Sequence, residues 1–233
     1  MPQVSIIIPA YNEENRLPAT IKRVRKFISS GRISAEIIVV DDGSSDNTVK
    51  AAAAPGVRLV KNRANRGKGF SVAAGMRAAR GKILLFTDAD LSTPIKFLKP
   101  FIKSHKDGAD IVVASRDIKG AKVKVPQNFL RETGGKIFNL FVRLITGLPI
   151  HDTQCGFKSF TREAAKSVFS RVTIDGFGFD VEALYIAKKH GLKIEEKPVE
   201  WFNSPATKVN FLRDSTRMFA ELFKIRLNDL KGM

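Results

Sequence analysis

The first half of the chain alternates short, β-branched apolar runs with longer segments of helical periodicity. The runs are apolar at successive positions, which is typical of strands that helices cover on both faces of a sheet. The segments between them have an apolar stripe and a polar face, as amphipathic helices do. This order predicts an α/β fold with a mainly parallel sheet and right-handed crossovers. The predicted strands are VSIIIPA (4–10), AEIIVVDD (35–42), VRLVKN (57–62), KILLFTDAD (82–90) and DIVVASR (110–116), and the predicted helices are 17–31, 45–54, 67–81 and 93–108.

After Arg116 the regular alternation of predicted strands and helices ends, and the pattern of the second half is less regular. A basic segment, DIKGAKVKVPQ (117–127), has no clear period and is predicted to be a flexible loop. Without a linker, a repeat or a low-complexity tract, the whole chain is predicted to form one domain. The other predicted elements are a surface helix (134–148), a strand (154–160), a helix (180–191), a strand over KIEEKPVEWF (193–202) and a closing helix (209–227).

The formal net charge of +17 is the unusual bulk property of this 233-residue chain. Such an excess predicts an anionic partner, namely nucleic acid, an acidic membrane surface or a phosphorylated substrate, unless the charge serves solubility alone. A single cysteine, Cys155, excludes an internal disulfide and is predicted to be a small core residue. With no visible signal peptide and no apolar run of about 20 residues, the protein is expected to be soluble or peripheral.

Polar residues follow the predicted strands at their carboxyl ends, where open parallel sheets bind ligands. Asp88 and Asp90 end the fourth strand with one alanine between them, and Asp42 ends the second. Convergent carboxylates repel one another, and a divalent cation relieves that repulsion. Mg²⁺ commonly takes one or two carboxylates and completes its shell with water and substrate phosphates. The pattern therefore predicts a metal–diphosphate site, although Asp42 read singly is equally a turn residue or helix cap.

A basic segment, KNRANRGKG (61–69), accompanies these carboxylates and either holds phosphate or covers a helix. Its glycines do not match the spacing of dinucleotide-binding or P-loop motifs. No Ser-His-Asp or Cys-His arrangement and no zinc-type spacing is visible in the sequence. Neither a dinucleotide-binding site nor a P-loop nucleotide site is therefore supported.

Six motifs occur in order along the chain: SIIIPAYNEENRL, IIVVDDGSSDNT, NRGKG, FTDADLSTP, DTQCGFKSF and GFGFDVEAL. Together they resemble the family 2 glycosyltransferases of GT-A fold, over nearly the whole chain. Within that family the chain is most similar to the dolichyl-phosphate (polyprenyl-phosphate) glucosyltransferases and mannose synthases. The resemblance implies a single Rossmann-like GT-A domain over 1–233, with a nucleotide-sugar-binding half (1–116) and an acceptor- and membrane-facing half (117–233).

The resemblance also implies roles for individual residues. Asp88 and Asp90 match the D-x-D motif that holds Mg²⁺ or Mn²⁺ against the diphosphate, with Ala89 between them. The nucleoside is expected to lie against Pro9, Tyr11 and Glu13, with its base on Asp42. A donor-site arginine is matched by Arg116, a lysine near the diphosphate by Lys208, and an acceptor-phosphate arginine by Arg131.

Two departures from the mannose synthases affect the expected donor. Ser92 stands where those enzymes commonly have a glutamine ligand, and Asn203, Ser204 and Pro205 occupy a region where they have an arginine. These differences favour UDP-glucose, while GDP-mannose remains the alternative. The tail VEWFNSPATKVNFLRDSTRMF (199–219) also looks more like the glucosyl branch.

The resemblance implies inverting transfer of a hexose to a polyprenyl or dolichyl phosphate at a membrane surface. A phosphate acceptor is largely ionised at neutral pH and needs no strong base. Were the acceptor a saccharide hydroxyl, Asp180 or Glu182 would be the candidate base, unless both are simply polar helix positions. Two basic amphipathic helices, those predicted over 134–148 and 209–227, are predicted to lie on the cytoplasmic face of an anionic membrane, or else to pack on the domain. The rival class is a basic nucleic-acid-binding protein, in which Asp88 and Asp90 would have no role.

Overall fold

The computed structural model describes residues 1–125, 129–204 and 211–230, and of residues 129–132 and 211–215 it describes the backbone alone. The strands are β1 (Val4–Ala10), β2 (Ala35–Asp41), β3 (Val57–Lys61), β4 (Ile83–Thr87), β5 (Ile111–Ser115), β6 (Lys122–Val125), β7 (Phe157–Thr161), β8 (Ile194–Pro198) and β9 (Glu200–Phe202). The helices are α1 (Leu17–Ser30), α2 (Thr48–Ala52), α3 (Lys68–Ala78), α4 (Leu98–Lys106), α5 (Phe129–Thr146), α6 (Arg162–Phe169), α7 (Phe179–Lys189) and α8 (Phe211–Leu230).

Seven strands form one sheet in the order β3-β2-β1-β4-β7-β5-β8. Strands β1 to β4 pair in parallel, as do β5 and β8. Only β7 among these seven runs antiparallel, and it lies between β4 and β5. The predicted α/β fold with a mainly parallel sheet is therefore confirmed. Because β1, β2 and β4 end at the same edge, the polar residues that follow them gather there.

The core consists of two apolar layers, one on each face of the sheet. On one face Ile7 and Ile38 pack with residues of α3, α5, α6, α7 and α8. On the other face Ile6 and Val39 pack with residues of α1, α2 and α4. Alternate residues of one strand thus belong to opposite layers, which explains why the sequence of each strand is apolar at successive positions. Cys155 is 1 % exposed, and burial raises the pKa of its thiol to about 11, as expected for an unreactive core residue.

Four predictions for individual elements were wrong or incomplete. Residues 122–125 of the predicted flexible loop form strand β6, which pairs with β9 in a separate two-stranded sheet. The predicted strand over 193–202 is divided at Pro198 into β8 and β9, which belong to different sheets. Helix α6 was not predicted. Helix α2 (Thr48–Ala52) is shorter than the helix predicted over 45–54. These pairings and packings are non-local, so the local pattern did not specify them.

Helices α5 and α8 pack side by side through aromatic rings. The ring of Phe219 contacts those of Phe138 and Phe141 edge to face, with centroids 5.4 and 5.5 Å apart. The outer sides of the two helices leave apolar side chains exposed: Ile137, Leu140, Phe141 and Leu144 on α5, and Phe223, Leu227 and Leu230 on α8. Within the described ranges, no helix combines the length and the apolar character that crossing a bilayer requires.

Candidate active site

The two carboxylates Asp88 and Asp90 lie in a turn directly after strand β4. The N–H of Leu91 donates to the Asp88 carbonyl over 3.1 Å, and Leu91 has a φ of +50°, in the left-handed region. The chain is therefore already turning where the acidic residues occur. Two carboxylates at positions i and i+2 can face one cation where the end of a strand is already turning. This turn therefore allows Asp88 and Asp90 to face the same cation.

Asp88 is held between a glycine and a lysine. Its N–H donates to the Gly156 carbonyl over 3.2 Å, and its Oδ1 lies 2.6 Å from Lys68 Nζ. The other carboxylate oxygen lies so close to Gly156 that a Cβ at that position would be 1.8 Å from it. Glycine is thus required by close approach, not by an unusual backbone conformation. Burial opposes the charge of Lys68, yet Asp88 and Asp180 raise the pKa of its ammonium group, so it is charged at neutral pH.

The negative charge of Asp88 repels that of Asp90. Burial and the negative charge of Asp88 raise the pKa of Asp90, although the N–H of Ser92 donates to its Oδ1 over 2.9 Å. Arg16, at the start of α1, supplies positive charge that acts on both aspartates. Its guanidinium is bidentate on Glu13 over 2.6 and 2.5 Å, and this contact is the main reason that its pKa is raised. Glu13 therefore orients Arg16 at the mouth of the site.

Strand β2 ends in a second pair of acidic residues, Asp41 and Asp42. Asp42 is only 4 % exposed, and its carboxylate accepts hydrogen bonds from Asn62 Nδ2 and from the N–H groups of Arg66 and Gly67 at 2.7–3.1 Å. It therefore organises the loop that leads to α3, and about one of its four acceptor positions is left for a ligand. The Oδ1 of Asp41 is buried and has no hydrogen-bond partner in the described part of the chain.

The segment after β1 forms the neighbouring wall. Pro9 is half-buried in β1, and Tyr11 is 40 % exposed. The N–H of Glu13 donates to Thr48 Oγ1 over 2.6 Å, so the loops after β1 and β2 are joined. Ala89 is buried, and its carbonyl accepts a hydrogen bond from the Thr20 hydroxyl over 2.5 Å. Of the predicted nucleoside-flanking residues, Glu13 is connected to the two aspartates through Arg16, and the Thr20–Ala89 hydrogen bond joins α1 to the same turn.

Arg116, at the end of β5, makes a bidentate ion pair with Asp152. Its Nε and Nη2 lie 2.7 and 2.8 Å from the two carboxylate oxygens, and its N–H donates to the same carboxylate over 3.0 Å. Asp152 is fully buried, and although burial opposes its ionisation, Arg116 lowers its pKa. The guanidinium also lies 5.3 Å from the Trp201 ring centroid. Arg116 is therefore fixed in place before any donor contact.

Asp180 and Glu182, the two candidate bases on α7, have different surroundings. Asp180 is 2 % exposed, and its Oδ1 lies 2.6 Å from Lys158 Nζ, itself buried under the site. Burial raises the pKa of Asp180 despite Lys158 and Lys68, and a raised pKa strengthens a carboxylate as a base. Glu182 instead accepts hydrogen bonds from Thr173 and Ile174. Asp180 acts electrostatically on Lys68 and Asp88 and so lies beside the site, whereas Glu182, two residues later, points to another side of the helix.

Two predicted site residues lie outside this description. Lys208 falls outside the described residues, and Arg131 lies in α5 at a position whose side chain is not described. Their predicted contacts, with the diphosphate and with the acceptor phosphate, stay predictions.

The donor set at β4 suits a hard divalent cation. No cluster of three or more His, Cys, Asp or Glu side chains that could enclose a metal occurs within 1–125, 129–204 and 211–230. Asp88 and Asp90 instead offer two oxygen ligands in a partly exposed turn. That arrangement fits Mg²⁺ or Mn²⁺ sharing its shell with the phosphates of a ligand, and it does not fit a cation enclosed by protein alone.

Comparison with known proteins assigns the chain to a family. Residues 5–169 match the family described as "Glycosyl transferase family 2". The chain belongs to that family.

Two curated relatives of this transferase are named dolichyl-phosphate beta-glucosyltransferase. The Dictyostelium discoideum protein is 36% identical and the Homo sapiens protein 33%, and each match covers 99% of this chain and 76% of the relative. A solved structure of glucosyl-3-phosphoglycerate synthase from Mycobacterium tuberculosis, in complex with Mn²⁺ and UDP-glucose, aligns with a TM-score of 0.73. That alignment covers 95% of this chain and 78% of the other, at 20% identity, and it supports the GT-A fold.

The sequence alone did not indicate the roles of several residues in this candidate site. Asp152, Gly156 and Lys158 all lie in the motif DTQCGFKSF, which marked the segment without indicating what each residue does. Lys68 stood among several basic residues, but only its ammonium group contacts Asp88. Arg66, two residues earlier, is paired with Asp175 instead. The three-dimensional contacts separate these roles, and the spacing along the chain does not.

The Arg116–Asp152 pair generates a prediction about stability and pH. Asp152→Asn should lower the free energy of unfolding at neutral pH by about 3 kcal/mol, the lower end for a broken buried ion pair, because Arg116 keeps some exposure. Since the folded-state pKa of Asp152 is lowered, its contribution is present above the unfolded value near ~3.9 and is lost as pH falls below it. Chemical denaturation of both proteins at several pH values measures this difference.

The matched control is Asp107→Asn, which removes the exposed Lys103–Asp107 pair and should change stability little. The curves for wild type and Asp152→Asn should converge as the pH falls below about 4. A constant difference between them at every pH would assign the effect to packing and contradict the ionic role of Asp152.

Proposed function

We propose that this transferase moves glucose from UDP-glucose to a polyprenyl or dolichyl phosphate and forms a β-linked lipid phosphosugar. The observation that carries the proposal is similarity over 99% of the chain to relatives named dolichyl-phosphate beta-glucosyltransferase. The paired carboxylates at the end of β4 agree with a diphosphate donor. Since the glucose of UDP-glucose is α-linked, a β product requires inversion at the anomeric carbon.

Donor recognition is assigned to the loops after β1 and β2. Pro9, Tyr11 and Glu13 border the nucleoside, and the remaining acceptor position of Asp42 takes an N–H of the base. The unpartnered Oδ1 of Asp41 is a second acceptor at the same strand end. Arg116 faces the donor from the end of β5, and Lys208 is assigned to the diphosphate from the sequence resemblance alone.

Asp88 and Asp90 would hold Mg²⁺ or Mn²⁺ together with the donor. When bound, the cation would neutralise the negative charge that develops on the departing UDP. The protein's own contribution is to keep the two carboxylates together: Ser92 caps Asp90, Gly156 abuts Asp88, and Arg16 acts on both. An electrostatic environment fixed in advance lowers the barrier because it need not reorganise during the reaction.

An oxygen of the acceptor phosphate attacks the anomeric carbon from the face opposite UDP, and the bond to UDP breaks with its electron pair leaving on UDP. Arg131 is assigned to that phosphate from the sequence resemblance alone, and a guanidinium can bind phosphate in a bidentate manner. A largely ionised phosphate gives up no proton in this step. Asp180 would be required as base only if the acceptor were a saccharide hydroxyl, which is the alternative reaction.

The lipid acceptor implies work at a membrane surface, and the outer sides of α5 and α8 supply a matching face. Leu144 is 72 % exposed and Phe223 60 % exposed, and Arg143 and Lys224 stand next to them along the two helices. Apolar residues beside basic ones bind the interface of an anionic bilayer. We assign this face, called the α5–α8 face, to the cytoplasmic leaflet of a membrane.

The reaction is tested by transfer from UDP-glucose or GDP-mannose to a short polyprenyl phosphate, with product configuration read by NMR. UDP-glucose should give the β-linked product, and an excess of chelator should abolish its formation. Asp90→Asn should lower the rate by about two orders of magnitude or more, since it removes an ionic ligand from a site of electrostatic stabilisation. Asp107→Asn makes the same chemical change at an exposed residue after α4, and this matched control should be fully active.

Faster transfer from GDP-mannose than from UDP-glucose would show that GDP-mannose is the donor. Transfer to a saccharide but not to the lipid phosphate would show that the acceptor is a saccharide hydroxyl. Full activity with chelator present would remove the metal from the proposal.

The α5–α8 face is tested by sedimentation with vesicles that contain an anionic lipid. Leu144→Glu should weaken binding about tenfold or more, because the loss of one buried leucine costs about 1.5–3 kcal/mol. Arg23→Gln makes the same change in net charge on α1, which packs on the opposite face of the sheet, and should have a much smaller effect. Equal weakening by both variants would indicate attraction by net charge alone and would contradict docking through this face.

A further inference from the structure

Lys68 is the first residue of α3, and its side chain enters the site as a third charged group beside the two aspartates. Its Nζ lies 2.6 Å from Asp88 Oδ1, and the side chain is 18% exposed. The negative charges of Asp180 and Asp90 also act on it. Lys68 is thus the counter-ion of Asp88 in this structure.

The backbone on both sides of Lys68 is fixed. The N–H of Gly67 donates to Asp42 Oδ2, and the N–H of Gly69 to the Asp175 carbonyl, each over 2.8 Å. A Cβ at Gly67 would lie 2.4 Å from the Asp175 carbonyl oxygen, and one at Gly69 would lie 2.4 Å from that of Ile174. The start of α3 is therefore wedged against the loop before α7. Lys68 can leave Asp88 by side-chain rotation, whereas a shift of its backbone is blocked.

The ammonium group and a divalent cation compete for the same oxygen. The second oxygen of Asp88 lies against Gly156, so Oδ1 is the more open one, and Lys68 already occupies it. A divalent cation bound to Oδ1 would stand next to a like charge in a partly buried site, where repulsion is stronger than in water. The repulsion between the two positive charges therefore favours breaking the Lys68–Asp88 contact when a cation binds.

We propose that Lys68 competes with the cation for Asp88, so that the cation binds weakly until the donor diphosphate arrives. The diphosphate adds negative charge that offsets the repulsion between cation and ammonium. Once released, the ammonium group remains close to Asp180, which Lys158 holds under the site. Cation and nucleotide then strengthen each other's binding by the same factor, as linkage requires.

This inference rests on the proposed metal role of Asp88 and Asp90, and a binding experiment separates the two. Mn²⁺ is titrated into the intact protein with and without UDP, and the free ion is followed by electron paramagnetic resonance. In wild type, UDP should raise the affinity for Mn²⁺ strongly. In Lys68→Met, the affinity without UDP should rise about tenfold, as expected for removing a charge-assisted contact, and the enhancement by UDP should shrink.

Arg66→Met is the matched control. It removes a positive charge two residues away, but that charge is paired with Asp175 and is 52% exposed, so the affinity for Mn²⁺ without UDP should stay within about twofold. Lys68→Gln serves as a second variant that keeps a polar side chain, and circular dichroism verifies that each protein is folded.

The outcomes are distinct. If wild type binds Mn²⁺ with UDP and neither Lys68 variant binds the ion more tightly without UDP, the competition is refuted while the metal site stands. If wild type binds no Mn²⁺ under either condition, the proposed metal role fails and the inference fails with it. If Arg66→Met gains as much affinity as Lys68→Met, the effect belongs to the general field of the basic segment, and the specific role of Lys68 is wrong.

Discussion

The repulsion between Asp88 and Asp90 is the constraint around which this site is built. Two carboxylates in one turn would each prefer water, and here burial and their mutual charge raise the pKa of Asp90. The fold brings compensating groups from distant segments: Lys68 from α3, Arg16 from the start of α1, and the Ser92 N–H from the turn itself.

Strand β7 links this site to the second half of the chain. It is inserted antiparallel between β4 and β5 and brings Gly156 against Asp88 and Lys158 beneath Asp180. Both halves of the chain therefore contribute strands to one sheet. The α5–α8 face belongs to the layer of helices on one side of that sheet, the same side that carries α3 and α7. A lipid phosphate that arrives at this face would therefore approach the helices that position Lys68 and Asp180.

Much of the first half could be predicted from the sequence because its information is local. The alternation of apolar runs and amphipathic segments predicted β1 to β5 nearly as they are, although the predicted fourth strand ran on to Asp90 and β4 ends at Thr87. The second half could not be predicted in the same way. Strand β6 acquires its structure from β9, about 80 residues later, and nothing in the sequence of 122–125 indicates that partner. The pair of Arg116 with Asp152 and that of Lys68 with Asp88 likewise join segments that only the folded chain brings together.

Locating the bound cation tests the proposed metal site most directly. In a crystal of this protein grown with Mn²⁺ and UDP, anomalous scattering would reveal the position of the manganese. We predict one peak within about 2.0–2.6 Å of carboxylate oxygens of Asp88 or Asp90, the range for hard cations on oxygen, with the diphosphate completing its shell. The Lys68 ammonium group should then have left Asp88 Oδ1. Manganese bound elsewhere while UDP occupies the sheet edge, or UDP bound there with the Lys68–Asp88 contact intact and no cation, would contradict the account.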